Sequence, residues 1–118
     1  MGIFSVRIAV GDPQATRFED FEAMVDTGST NTSLPASALR RLGVAPHHKD
    51  EFEFADGRIA ESDVGYTWVR IDGREALTEV VFAEEDTEPL LGMITLEEMA
   101  LGIDPIRQVL VPVRKRRK

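Results

Sequence analysis

Two Asp-Gly dipeptides, Asp56-Gly57 and Asp72-Gly73, limit the folds open to this chain more than any other feature. Each splits a run of strand-forming residues, and Asp-Gly readily takes the left-handed backbone that a two-residue hairpin turn requires. The first pair predicts a hairpin over Phe52 to Ile59, the second a hairpin over Tyr66 to Val81. In the second, Tyr66, Trp68 and Arg70 alternate with Thr67, Val69 and Ile71, the period of a strand with two different faces. Ile3 to Val10 alternates in the same way, with Phe4, Val6, Ile8 and Val10 on one side, and Gly11-Asp12-Pro13 turns the chain into a second strand at Phe18 to Val25. Gln108 to Val113 is a last strand that Pro112 confines to a sheet edge. Leu34 to Gly43 reads as a short helix, with Pro35 in its first turn and Gly43 at its end. Thr95 and Glu98 have the spacing of a capping box for a second helix, closed by Gly102. The prediction is a mainly β domain over residues 1–113, with two short helices and a basic tail at 114–118.

Composition removes several function classes. A chain of 118 residues can bury one modest core. It has no Cys, so disulfides, thiol nucleophiles and cysteine-held zinc are excluded. No apolar run approaches the roughly 18 residues of a membrane span, and no basic-then-apolar leader opens the sequence, so a cytoplasmic location is expected. The net charge is −7, yet the last five residues, Arg114-Lys115-Arg116-Arg117-Lys118, are all basic. The acidic body they leave disfavours nucleic acid as a partner. His47-His48 has no accompanying ligand set, so neither a metal nor a cofactor is expected. Ser5, Ser33 and Ser62 lack the Gly-x-Ser-x-Gly elbow of serine hydrolases, and there is no glycine-rich phosphate loop.

The chemistry concentrates at Met24-Val25-Asp26-Thr27-Gly28-Ser29-Thr30. An apolar run ends in a carboxylate, followed by a hydroxyl, a glycine and a second hydroxyl. This order places an acid at the end of a buried strand, on a tight turn, among hydrogen-bond donors. An ordinary strand-end turn uses the same residue types, so the triplet gains meaning only from what accompanies it. Leu90-Leu91-Gly92 follows an acidic loop, Glu84 to Pro89, and precedes the second helix. The Phe52–Ile59 hairpin, with its tip at Ala55, Asp56, Gly57 and Arg58, lies between the two segments.

In that order the three elements resemble the retropepsin-like aspartic proteases, including small bacterial single-domain members. The resemblance covers about residues 3–113 and implies a closed β-barrel acid-protease monomer with a flap hairpin. It implies that Asp26 is the catalytic acid and base, that Thr27 braces two site loops across a twofold axis, that Gly28 permits close approach with an unusual φ, and that Ser29 donates to the carboxylate. It further implies that Leu90, Leu91 and Gly92 form the hydrophobic-glycine motif and that 55–58 closes over a peptide or protein substrate. Hydrolysis needs a second acid, and Asp56, Asp72, Asp86 and Asp104 all stand outside any second Asp-Thr-Gly. A homodimer with one Asp26 from each chain is therefore expected. Viral members usually carry an Arg after that glycine, tied to an acid near the catalytic turn. Here Met93 and Thr30 stand in those places, and the flap tip is polar. These departures keep open an alternative: the same fold used for dimerisation or peptide binding with little turnover. Leu34, Ile59, Val81 and Leu90 are the expected apolar pocket residues.

Overall fold

The computed structural model describes residues 2–115, with side chains from Phe4 onward. Of the basic tail, 116–118 lies outside the described residues; Arg114 and Lys115 are exposed.

Strand β1 (Gly2–Gly11) and strand β2 (Phe18–Asp26) form a long antiparallel pair, with Ile8 opposite Phe21 and Val6 opposite Ala23. β3 (Thr32–Pro35) leads into helix α1 (Ala36–Arg41). β4 (His48–Glu53), β5 (Ile59–Ile71) and β6 (Arg74–Ala83) make two successive hairpins. The short β7 (Leu90–Leu91), helix α2 (Met93–Glu98), β8 (Leu101–Asp104) and β9 (Val109–Pro112) complete the described chain. Seven strands hydrogen-bond in the order β1-β2-β7-β3-β6-β5-β4, and β1 also pairs with β5 at Ala9–Arg70 and Val10–Val69. That extra pairing closes the sheet on itself and leaves β4 as its protruding edge. β8 and β9 form a separate two-stranded sheet. The fold is mainly β with two short helices, as the alternation predicts.

The closed sheet wraps the core. Ile8, Val10, Val25, Leu34, Val69, Val80 and Leu91 point inward from the strands, and Leu39 and Leu96 seal the core from α1 and α2. Each is at most 1% exposed, so burial fixes strand register: a one-residue slip would turn these side chains out to water.

Both Asp-Gly turns form, by different geometries. Asp72 and Gly73 both have positive φ (51° and 79°), as the tight two-residue turn demands. At Asp56-Gly57 only Gly57 does (85°), and the hairpin closes one residue wider: Gly57 N–H donates to the Phe54 carbonyl at 2.8 Å, and Phe54 N–H to the Arg58 carbonyl at 2.8 Å. The helices differ from their sequence readings. Leu34 and Pro35 extend a strand, because β3 pairs in parallel with β6 through Leu34–Phe82 and Pro35–Ala83. Helix α2 starts at Met93 with Gly92 at its N-terminal boundary and no side-chain cap, so Thr95 lies inside it. Gly102 belongs to β8; the chain leaves the helix through Ala100, at φ 56°. Arg74 reinforces that exit by donating from Nη1 to the Met99 carbonyl at 2.8 Å.

The loop joining β1 to β2 is organised by one carboxylate. Asp12 is only 9% exposed and accepts hydrogen bonds from the Thr16 amide, the Thr16 hydroxyl and the Arg17 amide, each at 2.7 Å. The Thr16 hydroxyl, with the two amides, outweighs partial desolvation and lowers its pKa from 3.8 to about 2. A depressed pKa gives stability that is complete above the unfolded value of 3.8 and is lost as pH falls through the folded value near 2. Asp12→Asn is thus expected to melt below wild type at pH 5, with the gap in Tm narrowing between pH 4 and pH 2. Parallel melting curves recorded across that range check it.

Candidate active site

Asp26 closes β2 where the chain leaves the sheet, and its carboxylate organises the turn that follows. The Gly28 amide donates to Oδ1 at 2.8 Å, and the Ser29 hydroxyl lies 3.4 Å from Oδ2. The Ser29 amide also donates to the Asp26 carbonyl at 3.1 Å, so side chain and backbone of one residue shape the same turn. Asp26 is half-buried, Ser29 half-buried, and Thr27 and Gly28 are exposed at the turn's tip. Partial burial pushes the Asp26 carboxyl up, while the Gly28 amide and the Ser29 hydroxyl favour its ionised form and pull it down. The left-handed φ expected at Gly28 is not found: among the described residues the glycines with positive φ are Gly43, Gly57 and Gly73.

The structure brings Leu90-Leu91-Gly92 directly against this turn. Leu90 and Leu91 pair in parallel with Met24 and Val25, and Leu90 pairs on its other side with Ser33. Two residues thus fill the gap between β2 and β3. Gly92 then passes over the Thr30–Asn31 backbone so closely that an added Cβ would lie 2.3 Å from the Asn31 carbonyl carbon. That approach lets the first amides of α2 reach the loop: Met93 N–H donates to the Ser29 carbonyl and Ile94 N–H to the Thr30 carbonyl, each at 3.0 Å. Main-chain bonds therefore tie the helix to the loop at the place where Met93 stands instead of an Arg.

Three threonines complete this anchor, two of which, Thr32 and Thr78, sequence reasoning does not single out, while Thr95 reads there only as a helix cap. Thr32, Thr78 and Thr95 are fully enclosed, at 0%, 1% and 0% exposure. The Thr95 hydroxyl lies 2.6 Å from that of Thr32 and 3.1 Å from that of Thr78, and Thr32 Oγ1 accepts the Gly92 amide at 3.0 Å. β3, β6 and α2 thus meet through three hydroxyls. The available signal was polarity at inward positions: Thr32 and Leu34 share a strand face, as do Thr78 and Val80.

Asp26 opens into a cleft of about 1170 Å³ between the turn and the β4–β5 hairpin. Ala55 and Arg58 of the hairpin tip line it, while Asp56 and Gly57 stand outside the lining. Arg58 lies over the Phe54 ring at 4.3 Å and reaches Glu84 at 3.6 Å, which joins the hairpin tip to the acidic loop before β7. Along the hairpin, Lys49 pairs with Asp63 at 2.8 Å, whereas Glu51 stands directly opposite Glu61, a like-charge pair that weakens the ladder. Of the expected pocket residues, Val81 and Leu90 line the cleft. Leu34 lies in the core and Ile59 is 63% exposed on the hairpin.

His47 and His48 meet each other through their Nδ1 atoms at 2.9 Å, and His47 packs edge-on against Tyr66. Among the described residues no three His, Asp or Glu side chains gather as a metal site, and no helix is long and apolar enough to cross a membrane.

Residues 15–98 match the family model described as gag-polyprotein putative aspartyl protease. No curated protein matches the sequence. Among solved structures, the solution structure of simian foamy virus (mac) protease aligns with a TM-score of 0.56 at 22% identity, covering 78% of this chain and 90% of that one. EIAV protease in complex with the inhibitor HBY-793 aligns with a TM-score of 0.59 at 18% identity, covering 79% and 84%. The retroviral protease-like domain of Ddi1 from Leishmania major aligns with a TM-score of 0.59 at 16% identity, covering 95% and 89%. At these identities the likeness is one of fold, and that fold is retropepsin-like.

The contact at Gly92 yields a direct expectation. Gly92→Ala forces one methyl group against immobile backbone and should cost about 2–3 kcal/mol. Chemical denaturation checks this, and a variant as stable as wild type would mean that the 92 and 31 backbones can separate.

Proposed function

Because the chain belongs to the gag-polyprotein putative aspartyl protease family, we propose that it is an aspartic endopeptidase that works as a homodimer, each subunit supplying one Asp26. The observation that carries this reading is the setting of the Asp26 carboxylate. It sits at a strand end, held by the Gly28 amide at 2.8 Å, and faces a cleft of about 1170 Å³ beneath the β4–β5 hairpin.

Peptide hydrolysis between carboxylates needs one ionised group and one protonated group. The ionised carboxylate takes a proton from water as the water attacks the scissile carbonyl. The protonated one donates a hydrogen bond to the carbonyl oxygen and stabilises the charge that develops there. Two carboxylates at hydrogen-bond distance cannot both ionise easily, so a symmetric pair holds a single proton and titrates as a unit. One chain carries a single Asp-Thr-Gly turn, and the other carboxylates that line the cleft, Asp50, Glu51, Glu53, Glu61, Asp63 and Glu84, come from the β4–β5 hairpin and the loop after β6. Asp12 is enclosed in its own loop, Asp72 forms a hairpin turn, and Asp104 accepts from the Ile106 and Arg107 amides in the β8–β9 turn. The exposed Thr27-Gly28 tip is a surface on which a second copy can approach. In this reading Thr27 braces the two turns, Gly28 and Ser29 hold the carboxylate, and Leu90-Leu91-Gly92 supports the loop from beneath. The hairpin tip 55–58 closes over substrate and excludes water.

Digestion of a peptide library by wild type and Asp26→Asn, alongside light scattering over a range of concentration, tests the proposal. Cleavage should fall by at least about a hundredfold in the variant, scale with the dimer fraction, and be fastest on the acid side of neutrality. A rate that climbs steadily above pH 8, or full activity from a monomer, overturns it. Dimers of both proteins that cleave nothing would instead support the fold's use as a dimerisation or peptide-binding module.

A further inference from the structure

We propose that Thr95 is a positioning residue for Asp26: its buried hydroxyl fixes α2 along its own axis, and α2 in turn sets the carboxylate's donors. The inference rests on Asp26 as the reacting carboxyl and extends that reading to a residue on the far side of the loop.

The argument follows one chain of contacts. A threonine hydroxyl has one proton to give and lone pairs to accept with. Thr32 Oγ1 receives the Gly92 amide at 3.0 Å and meets Thr95 Oγ1 at 2.6 Å, which meets Thr78 Oγ1 at 3.1 Å. At 1% exposure or less, none of the three can exchange a lost partner for bulk water. A sliding or tilting α2 would therefore orphan buried hydroxyls, so the helix has one allowed position. In that position its first amides take the Ser29 and Thr30 carbonyls at 3.0 Å. Ser29 is the residue whose hydroxyl lies 3.4 Å from Asp26 Oδ2. Thr95 itself lies beneath the loop and is absent from the cleft lining. Its influence on the carboxylate passes through Thr32, Gly92 and Ser29.

A second feature explains why this position needs a hydroxyl. Thr95 lies in the first turn of a six-residue helix whose N-terminal boundary, Gly92, has no capping side chain. Such a short helix is held in place mainly by tertiary contacts. Thr95 supplies a polar one at the end nearest Asp26, while Arg74 holds the opposite end through the Met99 carbonyl.

The test is a carbon-13 NMR titration of the Asp26 carboxyl, assigned by its loss in Asp26→Asn, in wild type, Thr95→Val, Thr95→Ser and Thr78→Val. Thr95→Val keeps the side chain's shape and removes the hydroxyl. Weakened donors to the ionised carboxylate should move its midpoint up by about half a pH unit, and Thr95→Ser should restore it. Thr78→Val leaves the Thr95–Thr32 contact in place, so it should lower Tm while the Asp26 midpoint stays at the wild-type value. A wild-type midpoint in Thr95→Val overturns the proposal. So does an equal rise in Thr78→Val, which would signify general loosening. If Thr95→Val does not fold, hydrogen exchange on the wild-type protein decides. The Gly92, Met93 and Ile94 amides should exchange as slowly as that of Val25; exchange as fast as at Gly57 overturns the idea. None of these measurements needs turnover, so a wild type that cleaves no peptide would refute the peptidase reading without deciding the role of Thr95.

Discussion

The whole site depends on two stretches of backbone coming closer than any side chain allows. Gly92 lies against Thr30 and Asn31 with no room for a Cβ. From that contact follow the insertion of β7 between β2 and β3, the reach of the α2 amides to the Ser29 and Thr30 carbonyls, and the enclosure of Thr32 beneath. The hydrophobic core supplies the bulk of the burial, but it acts without direction. The Gly92 contact and its hydrogen bonds turn a closed sheet into one that presents Asp26 at a defined place. Leu91, fully buried beside Val25, joins the two levels: its side chain belongs to the core and its backbone to the site.

Features of short range were legible in the sequence. Asp72-Gly73 specified its turn because left-handed backbone at two adjacent positions is a local demand that few dipeptides meet. The inward set Phe4, Val6, Ile8 and Val10 was readable because a half-buried strand repeats every two residues, and the structure buries Phe4, Ile8 and Val10 while packing Val6 against them. Asp26 and Leu90-Leu91-Gly92 stood out as motifs, although their adjacency, 64 residues apart for Asp26 and Leu90, is a property of the closed sheet and not of either segment.

What the sequence concealed were choices made by distant partners. Thr95 has the spacing of a helix cap, yet its hydroxyl is used by Thr32 and Thr78, and the helix begins earlier than local rules suggest. Pro35 suits a helix start, but parallel pairing with Ala83 extends β3 through it. Gly57 took the left-handed conformation without Asp56, so the hairpin widened by a residue. Gly102 looked like a helix stop, while Ala100 made the turn. At Thr95, Pro35 and Ala100 a tertiary hydrogen bond or strand pairing outweighed a local preference of about 1 kcal/mol.

The like-charge step on the β4–β5 hairpin gives the molecule a mechanical asymmetry. Beneath Asp26 the parts interlock through enclosed hydroxyls and touching backbones, whereas Glu51 and Glu61 push apart across an edge ladder above the cleft. The roof is thus held by a weaker set of cross-strand contacts than the floor. On the proposed peptidase reading, an extended guest enters at the expense of this weaker edge, while the interlocked floor keeps the Asp26 turn in place.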